Sequence, residues 1–85
     1  MPITITLSKP KDFQKTLLLL KDDAQKYNVS FNGKEHNGFA SGYGFEASYI
    51  VLADKISITV HKKPLIVSAS TVVKEITNYV RGLAV

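Results

Sequence analysis

Residues 38–52 read Gly-Phe-Ala-Ser-Gly-Tyr-Gly-Phe-Glu-Ala-Ser-Tyr-Ile-Val-Leu. Phe39, Tyr43 and Phe45 hold odd positions, while Gly38, Ala40, Gly42 and Gly44 hold even ones. This period of two is that of a strand, and it predicts one long strand, bent at its glycines, that runs on to about Leu52. The segments on either side set the fold around it. Upstream, Tyr27, Val29 and Phe31 alternate with Asn28 and Ser30, and the Asn32-Gly33 pair predicts a turn that ends a shorter strand. Downstream, Ala53, Asp54 and Lys55 make a turn, after which Ile56, Ile58 and Val60 alternate with Ser57, Thr59 and His61.

Ile3, Ile5 and Leu7 alternate with Thr4 and Thr6 and open the chain with another strand. Phe13, Leu17, Leu20, Ala24 and Tyr27 recur every three or four residues, which predicts a helix over residues 10–26 capped from Ser8. Val72, Val73, Ile76, Val80 and Leu83 mark a closing helix with Ser68 or Ser70 as its cap. The reading is a single α+β domain over residues 1–85, in the order β-α-β-β-β-α. Short helices are marginal in water, so both are expected on one face of a four-stranded, mainly antiparallel sheet. Their common core is expected to hold Ile5, Phe13, Leu17, Leu20, Val29, Phe31, Ile58, Val60, Ile76 and Val80. Thr4, Thr6, Asn28, Ser30, Ser57, Thr59 and His61 fall on the opposite face, open to water or to a second subunit.

The chain has 85 residues, 45% of them hydrophobic and 21% charged, which is a globular composition with too much apolar matter for disorder. It has no cysteine, so disulfides and thiolate metal sites are excluded, and a reducing, cytoplasmic setting is expected. Its longest wholly aliphatic run, Leu17 to Leu20, is far below the roughly 20 residues of a membrane span, and Lys9 and Lys11 break any signal-peptide core. The net charge of +4 divides as +2 for residues 1–43 and +2 for residues 44–85, and ten of the eleven cations are lysine. Lysine lacks the planar fork that reads phosphates and guanines, so nucleic acid is not the expected partner. A small core also favours self-association as a homodimer.

No set of residues converges on chemistry. Gly42, Gly44 and Ala47 satisfy the letters of a dinucleotide fingerprint, but strand pattern follows where a helix N-terminus is required, so no cofactor is expected. His36 and His61 are the only imidazoles, with no further ligands to hold a metal. None of the seven serines stands out beside a base and an orienting acid, so enzymatic activity is not expected. From the first helix onward the expected order α-β-β-β-α is that of a double-stranded RNA-binding domain, with Lys62 and Lys63 before the last helix. Residues 67–73 nevertheless carry no cation to meet phosphates. The most unusual stretch runs from Pro64 to Val73, ten residues without a charge. Lys62, Lys63, Leu65, Ile66 and Val67 are its expected partner-binding residues, since a contiguous apolar patch marks an interaction surface.

Tyr27 to Phe31, Gly33, Phe39 with Gly42, Gly44 and Ala47, the turn at Asp54, then Ile56, Ile58, Val60, Pro64 to Val67, Glu75 and Ile76 form an ordered pattern. Over roughly residues 10–80 it resembles the polyhydroxyalkanoic acid system protein family, small proteins associated with bacterial polyester granules. The pattern departs at Ala47, where glycine is expected, and at Lys62 to Pro64, which replace a hydrophobic entry to the last segment. The resemblance implies a non-enzymatic accessory protein whose partner is a hydrophobic granule surface or a protein. It carries no catalytic residues over to this chain.

Overall fold

A computed structural model describes residues 2–83; Met1, Ala84 and Val85, part of the expected domain, lie outside the described residues. The elements are β1 (Ile3–Ser8), α1 (Phe13–Lys26), β2 (Ser30–Gly33), β3 (Asn37–Gly42), β4 (Phe45–Val51), β5 (Lys55–Lys62) and α2 (Ala69–Leu83). The class is α+β, but the sheet has five strands in the spatial order β1-β5-β4-β3-β2, every pairing antiparallel. The expected four strands and the order β-α-β-β-β-α are therefore corrected to five and β-α-β-β-β-β-α. The strand expected over residues 38–52 is a hairpin. Gly42 pairs with Phe45, and Tyr43 and Gly44 between them both have positive φ, 56° and 84°. A two-residue loop with both φ positive matches the right-handed twist of its flanking strands.

The second hairpin corrects another reading. Asn32 and Gly33 are strand residues, and the chain turns at Lys34, Glu35 and His36, with the Lys34 amide donating to the Asn37 carbonyl at 2.7 Å. β2 starts only at Ser30, because Tyr27 ends α1 and Asn28 takes a left-handed φ of 58°. α1 begins at Phe13 and not at Pro10. Its cap is Asp12, whose carboxylate accepts the Lys15 amide at 3.1 Å and whose carbonyl accepts the buried Thr16 hydroxyl at 3.2 Å. Asp12 is the better start because its side-chain oxygen meets an amide three residues on. α2 is capped from Ser68, whose Oγ accepts the Thr71 amide at 3.2 Å.

Both helices cover one face of the sheet, and Tyr79 of α2 donates to the Asp23 carboxylate of α1 at 2.6 Å. α1 lies mainly over β2 and α2 over β1, the two edge strands. Tyr49 of β4 lies centrally beneath them, one of the buried residues with Ile5, Phe13, Ile56, Val60 and Val72. The Tyr49 ring meets Phe13 edge-on at 5.8 Å and stacks on Phe31 at 6.4 Å between centroids. It runs across Gly38 and Gly33, which pair with each other, and its hydroxyl donates to the Lys34 carbonyl. Burial pushes the Tyr49 hydroxyl above its ordinary pKa.

Of the ten expected core residues, Ile5, Phe13 and Val60 are buried and the other seven are half-buried. Ile58 is among the half-buried ones, whereas its neighbour on the same face, Ile56, is 4% exposed. Ile56→Ala should therefore lose about 2 to 5 kcal/mol, the range for truncating a buried aliphatic, and Ile58→Ala should lose clearly less. Urea unfolding of the two variants measures the difference.

Candidate functional site

β5 ends at Lys62 for a local reason. Pro64 has no amide to donate to a ladder, and it keeps the residue before it extended, so the chain leaves the sheet there. The Pro64 carbonyl then accepts the Val67 amide at 3.1 Å, which closes a turn with Leu65 and Ile66 at its two corners. Lys63 pins the same turn, its ammonium donating to the Val67 carbonyl at 2.6 Å. One residue later Ser68 starts α2. The turn is thus held between a strand end and a helix cap.

Leu65 and Ile66 consequently project into solvent, 97% and 96% exposed. The expected binding residues divide into two groups. Lys62, Leu65 and Ile66 are exposed, whereas Lys63 and Val67 are half-buried and shape the turn. The uncharged stretch divides too, since Val72 is only 4% exposed and belongs to the packing of α2. Pro64 sits against the β3–β4 turn, where a Cβ built on Gly44 would lie 3.1 Å from its ring. Tyr43 of that turn is exposed and donates its hydroxyl to the Tyr27 carbonyl, so a third large apolar side chain belongs to the neighbouring turn. Nothing in the sequence marks Tyr43, because a strand alternation also accounts for its position.

The open face of the sheet carries Thr4 and Thr59, whose hydroxyls lie 3.4 Å apart, together with exposed Phe39 and Ile50. It also holds a pair that residue spacing does not reveal. Ser48 Oγ lies 2.8 Å from His61 Nε2. A register shift between Glu46 and Ala47 leaves His61 opposite no β4 residue and brings its ring to Ser48. A serine and an imidazole at this distance are two parts of a nucleophilic set. Among the described residues no carboxylate bonds the other ring nitrogen. Gly42, Gly44 and Ala47 belong to the β3–β4 hairpin, with strand where a phosphate site needs a helix N-terminus. Among the described residues no three His, Asp or Glu side chains gather as a metal site, and no helix is long and apolar enough to cross a membrane.

Tyr79 at the α1–α2 contact has its pKa raised far above 10.0, first by burial and then by its hydrogen bond to Asp23 and the nearby carboxylate charge. The folded value exceeds the unfolded one, so this stabilisation is complete below pH 10 and is lost as pH rises toward the folded value. Denaturation midpoints above pH 10 should accordingly fall more steeply for wild type than for Tyr79→Phe.

No family model matches this chain, and neither does any curated protein or solved structure.

Proposed function

We propose that this protein is a non-enzymatic accessory module that meets an apolar phase, such as the surface of a polyester granule, through the turn at Pro64 to Val67. One observation carries the reading: two adjacent aliphatic side chains, Leu65 and Ile66, stand almost wholly in water on a turn that hydrogen bonds hold at both ends. Exposed aliphatics contribute nothing to the fold, and a pinned turn presents them to a partner without an ordering cost. Exposed Lys62 beside them can lay its methylenes on the same phase while its ammonium stays in water. The resemblance to granule-associated proteins agrees with such a partner. A location in the cytoplasm, where polyester granules form, belongs to the same proposal. Self-association belongs to it as well, since the open sheet face with Phe39 and Ile50 offers a surface for a second copy.

The test mixes purified protein with polyester granules or apolar beads and compares wild type with Ile66→Asp. Wild type should sediment with the particles, and the folded variant should remain in solution. Equal binding by both, or none by wild type, contradicts the proposal. Salt-sensitive binding to double-stranded RNA would favour a nucleic-acid role instead.

A further inference from the structure

Six of the seven half-buried core residues share one surrounding. Leu20, Val29, Phe31, Ile58, Ile76 and Val80 all line a cavity of about 360 Å³ between the two helices and the sheet. The cavity arises from where the elements sit. α1 and α2 cover the two edges of the sheet, and the central pair opposite the gap is Ala40 and Ala47, side chains too short to fill it. An apolar cavity of roughly 150 Å³ already stays dry and takes up benzene, so this one has more than twice the room a single ring needs. Its partly exposed lining residues, Tyr27 and Tyr79, mark the open end.

One charged group lines the space. Asp23 receives the Tyr79 hydroxyl on one carboxylate oxygen, and its other oxygen accepts no hydrogen bond from the described residues. Lys26 holds its ammonium over the Tyr27 ring at 5.7 Å and does not line the cavity. A guest must therefore be apolar along its length and bring a donor to Asp23. A carboxylate would face a like charge, and an ammonium would lose more hydration on entry than a hydroxyl does.

We infer that this cavity binds a small apolar molecule ending in a hydroxyl group, of the aliphatic alcohol class, with the hydroxyl donating to Asp23. The site is separate from the Leu65–Ile66 turn and stands without it. N-phenyl-1-naphthylamine, a neutral apolar fluorophore with a single N–H donor, is the probe. Its emission should rise saturably with wild type and equally with Ile66→Asp. Ala24→Leu, which enlarges a lining methyl of α1 to an isobutyl group, should weaken binding at least tenfold while its circular dichroism stays that of wild type; Ala47→Val provides a smaller filling from β4 should Ala24→Leu not fold. 1-Decanol should displace the probe at concentrations at least tenfold lower than decanoate, and Asp23→Asn should remove that preference. The inference is overturned by an absence of saturable binding, by filled variants that bind as wild type does, by loss of binding in Ile66→Asp, or by decanoate competing as well as decanol.

Discussion

Gly38→Val should be severely destabilised, losing at least about 3 kcal/mol relative to wild type. A Cβ at Gly38 would lie 2.3 Å from the Tyr49 ring and 2.8 Å from the Gly33 backbone. A flexible side chain end can swing away from such an approach, but the paired strand backbone cannot, and Tyr49 is itself fixed by Phe13, Phe31 and the Lys34 carbonyl. Overpacking a core ordinarily costs about 1 to 3 kcal/mol, and with two obstacles the loss here should reach at least the top of that range. Small domains hold only about 5 to 15 kcal/mol in total, so the loss is a large share of it. Gly42→Ala is the comparison: its Cβ would meet only Val29, at 3.3 Å, so this variant should stay folded. Chemical denaturation of both separates the cases, and a Gly38→Val protein as stable as wild type would refute the packing described for Tyr49.

The same residues show why the sheet was only partly legible in the sequence. β1 and β5 follow from alternation alone, since Ile3, Ile5, Leu7, Ile56, Ile58 and Val60 all face the helices while their neighbours do not. β3 and β4 hide as one strand because the odd-numbered aromatics Phe39, Tyr43 and Phe45 run through the turn without a break, although the turn sets even residues of β3 and odd residues of β4 on the same face, and Tyr43 is not a residue that favours positive φ. Asn32-Gly33 misleads in the other direction. Glycine at position 33 is needed for space beneath Phe31 and Tyr49, a tertiary demand that no local pattern expresses. At the candidate site, the uncharged run at Pro64 includes the two most exposed aliphatics, Leu65 and Ile66, together with buried Val72. Which aliphatics leave it and which enter the fold depends on the turn and on the start of α2, so Leu65 and Ile66 could not be told from Val72. The Ser48–His61 approach depends on a register irregularity and left no trace in spacing.

Leu65→Asp combined with Ile66→Asp should abolish attachment to an apolar phase. Burying one such side chain contributes about 1.5 to 3 kcal/mol, so the pair supplies roughly 3 to 6 kcal/mol before binding costs are met. A single molecule then binds with a dissociation constant no tighter than tens of micromolar, about 40 μM at the upper figure, and firm attachment requires several copies acting together. Removing the pair and adding two charges should lower retention on granules by at least about a hundredfold, at 1.4 kcal/mol per factor of ten. Stability should be unchanged, because neither side chain packs against the fold. A double variant that is folded and still retained would place the contact elsewhere.

The most direct measurement puts a reporter at the turn itself. The chain has no tryptophan, so Ile66→Trp gives a single indole at the proposed contact, and Leu18→Trp gives one at an exposed position on α1. Each protein is titrated with polyester granules while tryptophan emission is recorded. The account predicts a blue shift and loss of quenching by aqueous iodide for Trp at position 66, with neither change at position 18. Granule-bound protein whose indole at position 66 keeps its aqueous spectrum, or equal shifts at both positions, would contradict it.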